Sequence, residues 1–124
     1  MPTKILLAED DPAVRELMSR LLTALGFDVV VAVNGQEAVE LFQSATEEIN
    51  LIVTDIRMPV MDGHEAVRRI GMMKPAIRVI FMSSSDAACP EGAAFLAKPF
   101  TIAEVRECIS NVLADSPPAL TKSY

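Results

Sequence analysis

Five side chains in this sequence could do chemistry together: the carboxylates of Glu9, Asp10 and Asp55, the hydroxyl of Ser83 and the ammonium of Lys98. They lie at the ends of short apolar runs: Glu9-Asp10 after Ile5–Ala8, Asp55 one residue beyond Leu51–Val53, Ser83 after Val79–Met82 and Lys98 after Phe95–Ala97. Carboxylates brought close repel one another by roughly 4 kcal/mol per pair at about 4 Å and an effective dielectric of about 20. Left uncompensated, one of them would stay protonated. A hard divalent cation resolves the conflict, and an all-oxygen site completed by water suits Mg²⁺. The cation also lets an anionic phosphoryl donor approach an acidic pocket. A lysine and a hydroxyl then complete the positioning and charge neutralisation that phosphoryl transfer needs. Within such a set Asp55 is the candidate nucleophile, because a carboxylate attacking phosphorus gives an acyl phosphate.

These residues need a scaffold that delivers four segments to one edge. The apolar runs, with Val29–Val31 as a fifth, are continuous rather than alternating, as in strands buried on both faces of a parallel sheet. Amphipathic stretches lie between them. Val14, Leu17, Met18, Leu21, Leu22 and Leu25 form a helical stripe opened by Asp11-Pro12 and closed by Gly26. Ala38, Val39, Phe42 and Ala45 form a second, with Asn34 and Glu37 in capping-box places. Ala66, Val67 and Ile70 form a third that should end between Gly71 and Pro75. Ile102, Val105, Ile109, Val112 and Leu113 form the last, behind Thr101 and Glu104. The expected fold is α/β, a doubly wound five-stranded parallel sheet of order 2-1-3-4-5, flavodoxin-like, since five strands are too few to close a barrel. The stretch Ser84–Ala93 is too short for an ordinary helical crossover, so the helix between strands 4 and 5 is expected to be shortened or absent. In such folds, functional groups gather at the carboxyl ends of the strands beside the switch point between strands 1 and 3.

Bulk properties agree with one compact domain. The chain has 124 residues, 51% of them hydrophobic, and a net charge of −6. The absence of a basic stripe argues against direct nucleic-acid binding. Cys89 and Cys108 form no close-spaced pair and read as small packing residues of a reducing compartment. No signal-peptide pattern opens the chain, and no apolar run approaches the roughly 20 residues of a membrane span. The expected location is therefore the cytoplasm. A domain is expected over residues 1–114. The stretch 115–124, with Pro117-Pro118 and no apolar period, reads as a disordered tail or linker remnant.

The ordered set Glu9-Asp10, Asp55, Ser83 and Lys98-Pro99-Phe100 resembles the response-regulator receiver family of two-component signalling, the chemotaxis-regulator-like phosphoacceptors. The run from Asp55 through Met58-Pro59 to Asp62-Gly63 shares the resemblance, which extends from Lys4 to about Leu113. It implies that Asp55 accepts a phosphoryl group from a phosphohistidine on a histidine kinase or histidine phosphotransfer protein. Asp10 and Asp55 would bind Mg²⁺ directly, with Mn²⁺ a possible substitute. Glu9 would act through water, and Arg57 would lend only its backbone carbonyl. Lys98, the Ser83 hydroxyl and the Ser84 backbone N–H would bind the phosphoryl group. Ser83 and Phe95 would form the switch, and Lys98–Pro99 would be a cis peptide. The resemblance further implies an unidentified downstream protein target, and a monomer or weak phosphorylation-dependent dimer. It implies a signalling module rather than an enzyme, promoting only its own phosphorylation and dephosphorylation. The segment Phe95–Phe100 is similar to receivers at the C-terminus of hybrid sensor kinases.

Rival readings fit less well. An aspartyl-phosphate phosphohydrolase would carry an acidic proton shuttle two residues after its nucleophile, where this chain has Arg57. A flavin-mononucleotide carrier would carry an anion-binding loop after strand 1 in place of Glu9-Asp10-Asp11. A phospho-independent pseudo-receiver should have lost part of the set. Other residues have plain structural readings. Asp11 is an N-cap, Asp62-Gly63 a turn and helix start, and Met58-Pro59 a loop-shaping pair. His64 should face solvent, and Met72-Met73 should fill the core.

Overall fold

The computed structural model describes residues 3–83 and 93–114. Five parallel strands, β1 (Lys4–Ala8), β2 (Asp28–Ala32), β3 (Leu51–Asp55), β4 (Arg78–Ser83) and β5 (Ala94–Ala97), form one sheet of order β2-β1-β3-β4-β5. The helices of the described residues are α1 (Pro12–Ala24), α2 (Gly35–Ser44), α3 (Gly63–Met73) and α4 (Ile102–Ala114). The doubly wound order read from the apolar runs is the one observed. The segment from Ser84 to Gly92, where a shortened helix is expected, lies outside the described residues, as do Cys89 and the stretch 115–124.

Strand side chains alternate between two cores. Leu6, Ala8 and Ile52 pack with Ala38, Val39 and Phe42 of α2 and Ala66 and Ile70 of α3. Ile5, Leu7, Leu51 and Val53 pack with Met18 and Leu22 of α1 and Val105 and Ile109 of α4. Burial on both faces is why the strands carry unbroken apolar runs. The sheet edges behave differently. At β5, Leu96 is buried, but Phe95 is 37% exposed and Ala97 is also exposed. The two-sided burial expected of this run therefore does not extend to the edge.

Caps set the helix starts. The Asp11 carboxylate accepts from Ala13 N at 2.9 Å, with Pro12 in the first helical turn. Asn34 Oδ1 accepts from Glu37 N at 2.8 Å, and Asp62 Oδ1 from Glu65 N at 2.9 Å. Thr101 and Glu104 close a reciprocal capping box at 3.1 and 2.7 Å. Gly26, at φ +98°, ends α1 in the left-handed region that favours glycine.

Three expectations are corrected. Leu17 is 60% exposed, because only the arc of α1 centred on Met18 and Leu22 meets the sheet. Met72 is 73% exposed rather than filling the core, while its neighbour Met73 does pack against it, and α3 ends at Met73, inside the expected interval from Gly71 to Pro75. His64 is half-buried rather than solvent-facing, its ring centroid 5.2 Å from that of Phe81. No helix among the described residues is long and apolar enough to cross a membrane.

Candidate functional site

The site forms at the carboxyl edge of β1, β3, β4 and β5. Register pairs Ala8 with Thr54, so Glu9 and Asp55 leave adjacent strands side by side. Carboxylate oxygens of Glu9, Asp10 and Asp55 all lie within 4.8 Å of one another. Glu9 is fully buried, Asp55 is buried and Asp10 is exposed at the mouth. Lys98, just past β5, places Nζ 2.8 Å from Glu9 Oε1 and 3.0 Å from Asp55 Oδ2. Its backbone N–H donates to Ser83 O at 2.9 Å, tying β5 to the end of β4. The Lys98–Pro99 peptide is cis.

One ammonium thus answers two of three carboxylates. Burial pushes the Glu9 carboxyl above its ordinary range. Hydrogen bonds from Lys98 and the Asp11 N–H oppose that rise, and the Asp55 charge adds to it. For Lys98, burial works to lower the ammonium, but the hydrogen bonds to Glu9 and Asp55 outweigh it and the net direction is upward. The pocket still carries more negative than positive charge, all on oxygen donors, with Asp10 open to solvent. That donor set fits a hard divalent cation. A cavity of about 430 Å³ lined by Asp10, Arg57, Met58, Pro59 and Asp62 opens beside it.

Ser83 is buried at the end of β4, one residue beyond Met82, the register partner of Asp55. Phe95 pairs in register with Phe81 at the β5 edge. Ser84 lies outside the described residues. The structure therefore brings Glu9, Asp10, Asp55 and Lys98 into direct proximity, sets Ser83 at the same edge and Arg57 at the mouth, and leaves Phe95 on the outer strand.

Sequence reading missed the backbone contacts that shape the site. Gly63 does more than start a helix: its N–H donates to Ile56 O at 2.8 Å, and a Cβ there would collide with the Asp55 carbonyl oxygen. Gly35 meets the Met61 carbonyl in the same way. Between them, Val60 takes φ +71°, with Met61 N donating to Pro59 O at 2.7 Å in a γ-turn. Arg15 of α1 donates to the Glu9 and Asp10 carbonyls at 2.9 and 3.3 Å. A glycine directly after an N-cap, where a helix former is preferred, is a signal that could have exposed Gly63. Nothing in the pattern distinguishes Arg15 from a solvent-facing arginine.

Comparison with known proteins decides the family. The profile of the response regulator receiver domain matches residues 5–110. This chain belongs to the response regulator receiver family. It is a phosphoacceptor signalling module rather than a conventional enzyme, and its acidic pocket of Glu9, Asp10 and Asp55 is of the kind typical of phosphoaccepting regulators. The response regulator receiver protein CpdR of Brucella abortus is 34% identical over 117 residues, covering 89% of this receiver and 96% of CpdR. Among solved structures, the receiver of the hybrid histidine kinase CckA is 32% identical with a TM-score of 0.80, over 89% of this chain and 98% of that one. CheY of Borrelia burgdorferi, in a complex with CheX, BeF₃ and Mg²⁺, is 26% identical with a TM-score of 0.84, over 93% and 92%. Other curated relatives are much longer, and this receiver spans only 29% of one and 12% of another.

Proposed function

We propose that Asp55 is the phosphoacceptor of this receiver and that Glu9, Asp10, Ser83 and Lys98 serve it. The supporting observation is the Asp55 carboxylate at the sheet switch point, 3.0 Å from Lys98 Nζ and clustered with two further acids. An Asp55 oxygen attacks the phosphorus of a phosphohistidine. The O–P bond forms, the N–P bond breaks, and its electron pair returns to the departing imidazole. Lys98, held from its other side by Glu9, presents its ammonium to the incoming phosphoryl oxygens. Ser83, with the Ser84 N–H, donates to another, and the movement is passed to Phe95.

Asp10 and Asp55 would hold Mg²⁺ directly, Glu9 through water and Arg57 through its carbonyl, with Mn²⁺ as a substitute. The Mg²⁺ bound to Borrelia CheY supports that choice. When bound, the ion supplies positive charge that draws a phosphoryl group into an acidic pocket. The added phosphoryl charge and acceptor oxygens then bias a two-state element. A nearly complete switch from 1:99 to 99:1 takes about 5.5 kcal/mol of differential stabilisation.

Members of the family partner with histidine kinases. For this chain the donor is a kinase or histidine phosphotransfer protein in the cytoplasm, the output is a downstream protein, and the assembly is a monomer or weak phosphorylation-dependent dimer. Incubation with labelled acetyl phosphate and Mg²⁺ tests the core of this. The parent should label and Asp55→Asn should not. Equal labelling of the two would overturn the assignment.

A further inference from the structure

The acidic pair Glu9-Asp10 sits on a three-residue connection between β1 and α1, and a ligand pair on a loop needs something to hold its peptides. We propose that Arg15 is the positioning residue for these metal-binding acids, an inference that rests on the phosphoacceptor reading. Arg15 is half-buried on the first turn of α1, where its own N–H donates to Asp11 O at 2.9 Å. Its Nη1 reaches back to Glu9 O at 2.9 Å and Asp10 O at 3.3 Å.

The consequence follows from peptide geometry. In a planar trans peptide the C=O and the following N–H point in opposite directions. Holding the Asp10 carbonyl toward Arg15 turns the Asp11 N–H the other way. That N–H donates to Glu9 Oε2 at 3.1 Å, leaving Oε1 for Lys98 at 2.8 Å. The Glu9 N–H is already fixed to Ala32 O at 3.1 Å. Arg15 thus locks the remaining rotation of the segment, and with it the direction in which Asp10 leaves the backbone. Two effects of Arg15 compete: its charge repels a divalent cation, while its carbonyl contacts preorganise the ligands. The guanidinium bonds to carbonyl oxygens rather than to the carboxylates, so the geometric effect dominates.

The test is a Mg²⁺ titration by calorimetry of the full chain as parent, Arg15→Ala and Arg15→Lys. Amide hydrogen exchange at Asp11 is followed in the metal-free proteins alongside. Arg15→Ala should bind Mg²⁺ about tenfold more weakly and exchange its Asp11 amide faster. Arg15→Lys, whose single ammonium reaches one carbonyl at a time, should recover part of both. If Arg15→Ala does not fold, weaker binding by Arg15→Lys carries the proposal and parent-like binding overturns it. Affinity in Arg15→Ala within twofold of the parent, or tighter because repulsion is relieved, also overturns it. Persistent labelling of Asp55→Asn, or a parent that takes no Mg²⁺, would instead sink the phosphoacceptor reading. A parent that labels on Asp55 beside an Arg15→Ala of unchanged affinity would remove only the role of Arg15.

Discussion

At Lys98 one ammonium meets two carboxylates, and its loss isolates a fully buried acid. Replacing Lys98 with Met leaves Glu9 and Asp55 facing each other without their cation. Breaking a buried pair on one side costs about 3 kcal/mol, and the cost should depend on pH. The Glu9 carboxyl is already raised by burial, and without Lys98 it rises further. Above pH 4.5 the folded form then binds more protons at Glu9 than the unfolded chain does. Stability therefore falls as pH rises from about 4.5 through the raised value. The gap between parent and Lys98→Met, measured by urea unfolding, should be wider at pH 8 than at pH 5. An equal or narrower gap at pH 8 would contradict this account of the pocket. Saturating Mg²⁺ should narrow the gap at pH 8, since a bound cation replaces the missing charge.

The elements show where sequence patterns carry information and where they stop. Strand order, the helix starts at Asp11, Asn34 and Thr101, the Gly26 stop and the converging acids were legible, because periodicity, capping residues and strand ends are local properties written in residue type. Leu17 and Phe95 were misleading because exposure depends on how far the opposing layer extends over a helix arc or a sheet edge. The His64–Phe81 contact and the Arg15 clamp join side chains to partners that no spacing rule specifies. Gly63 belongs to the same class: it admits the start of α3 against the Asp55 carbonyl. Gly63→Ala should force those backbones apart and cost about 1–3 kcal/mol. Because the displaced strand end carries Asp55, labelling by acetyl phosphate should fall as well. Gly71→Ala is the matched control, since a Cβ there meets nothing within 4 Å. It removes a helical glycine and should raise stability by roughly 0.5–1 kcal/mol. If Gly63→Ala labelled like the parent, the close approach would have no bearing on the acceptor.

At the scale of the whole molecule, the pocket needs both ends of the chain. The Lys98–Glu9 contact spans 89 residues and Lys98–Asp55 spans 43. The sheet joins them through parallel pairings of β1 with β3, β3 with β4 and β4 with β5. Closing such loops is entropically costly, so contacts of this separation form late on the route to the native state. A cation held there is expected to bind contacts that the transition state has not yet built. Magnesium at about 100 times its dissociation constant adds about 2.7 kcal/mol, and that gain should appear as slower unfolding with the refolding rate unchanged. Stopped-flow chevrons with and without Mg²⁺ would show it as a lowered unfolding limb, and acceleration of refolding would contradict it. An ion bound for signalling would then also lengthen the lifetime of each folded copy, without helping any chain to fold.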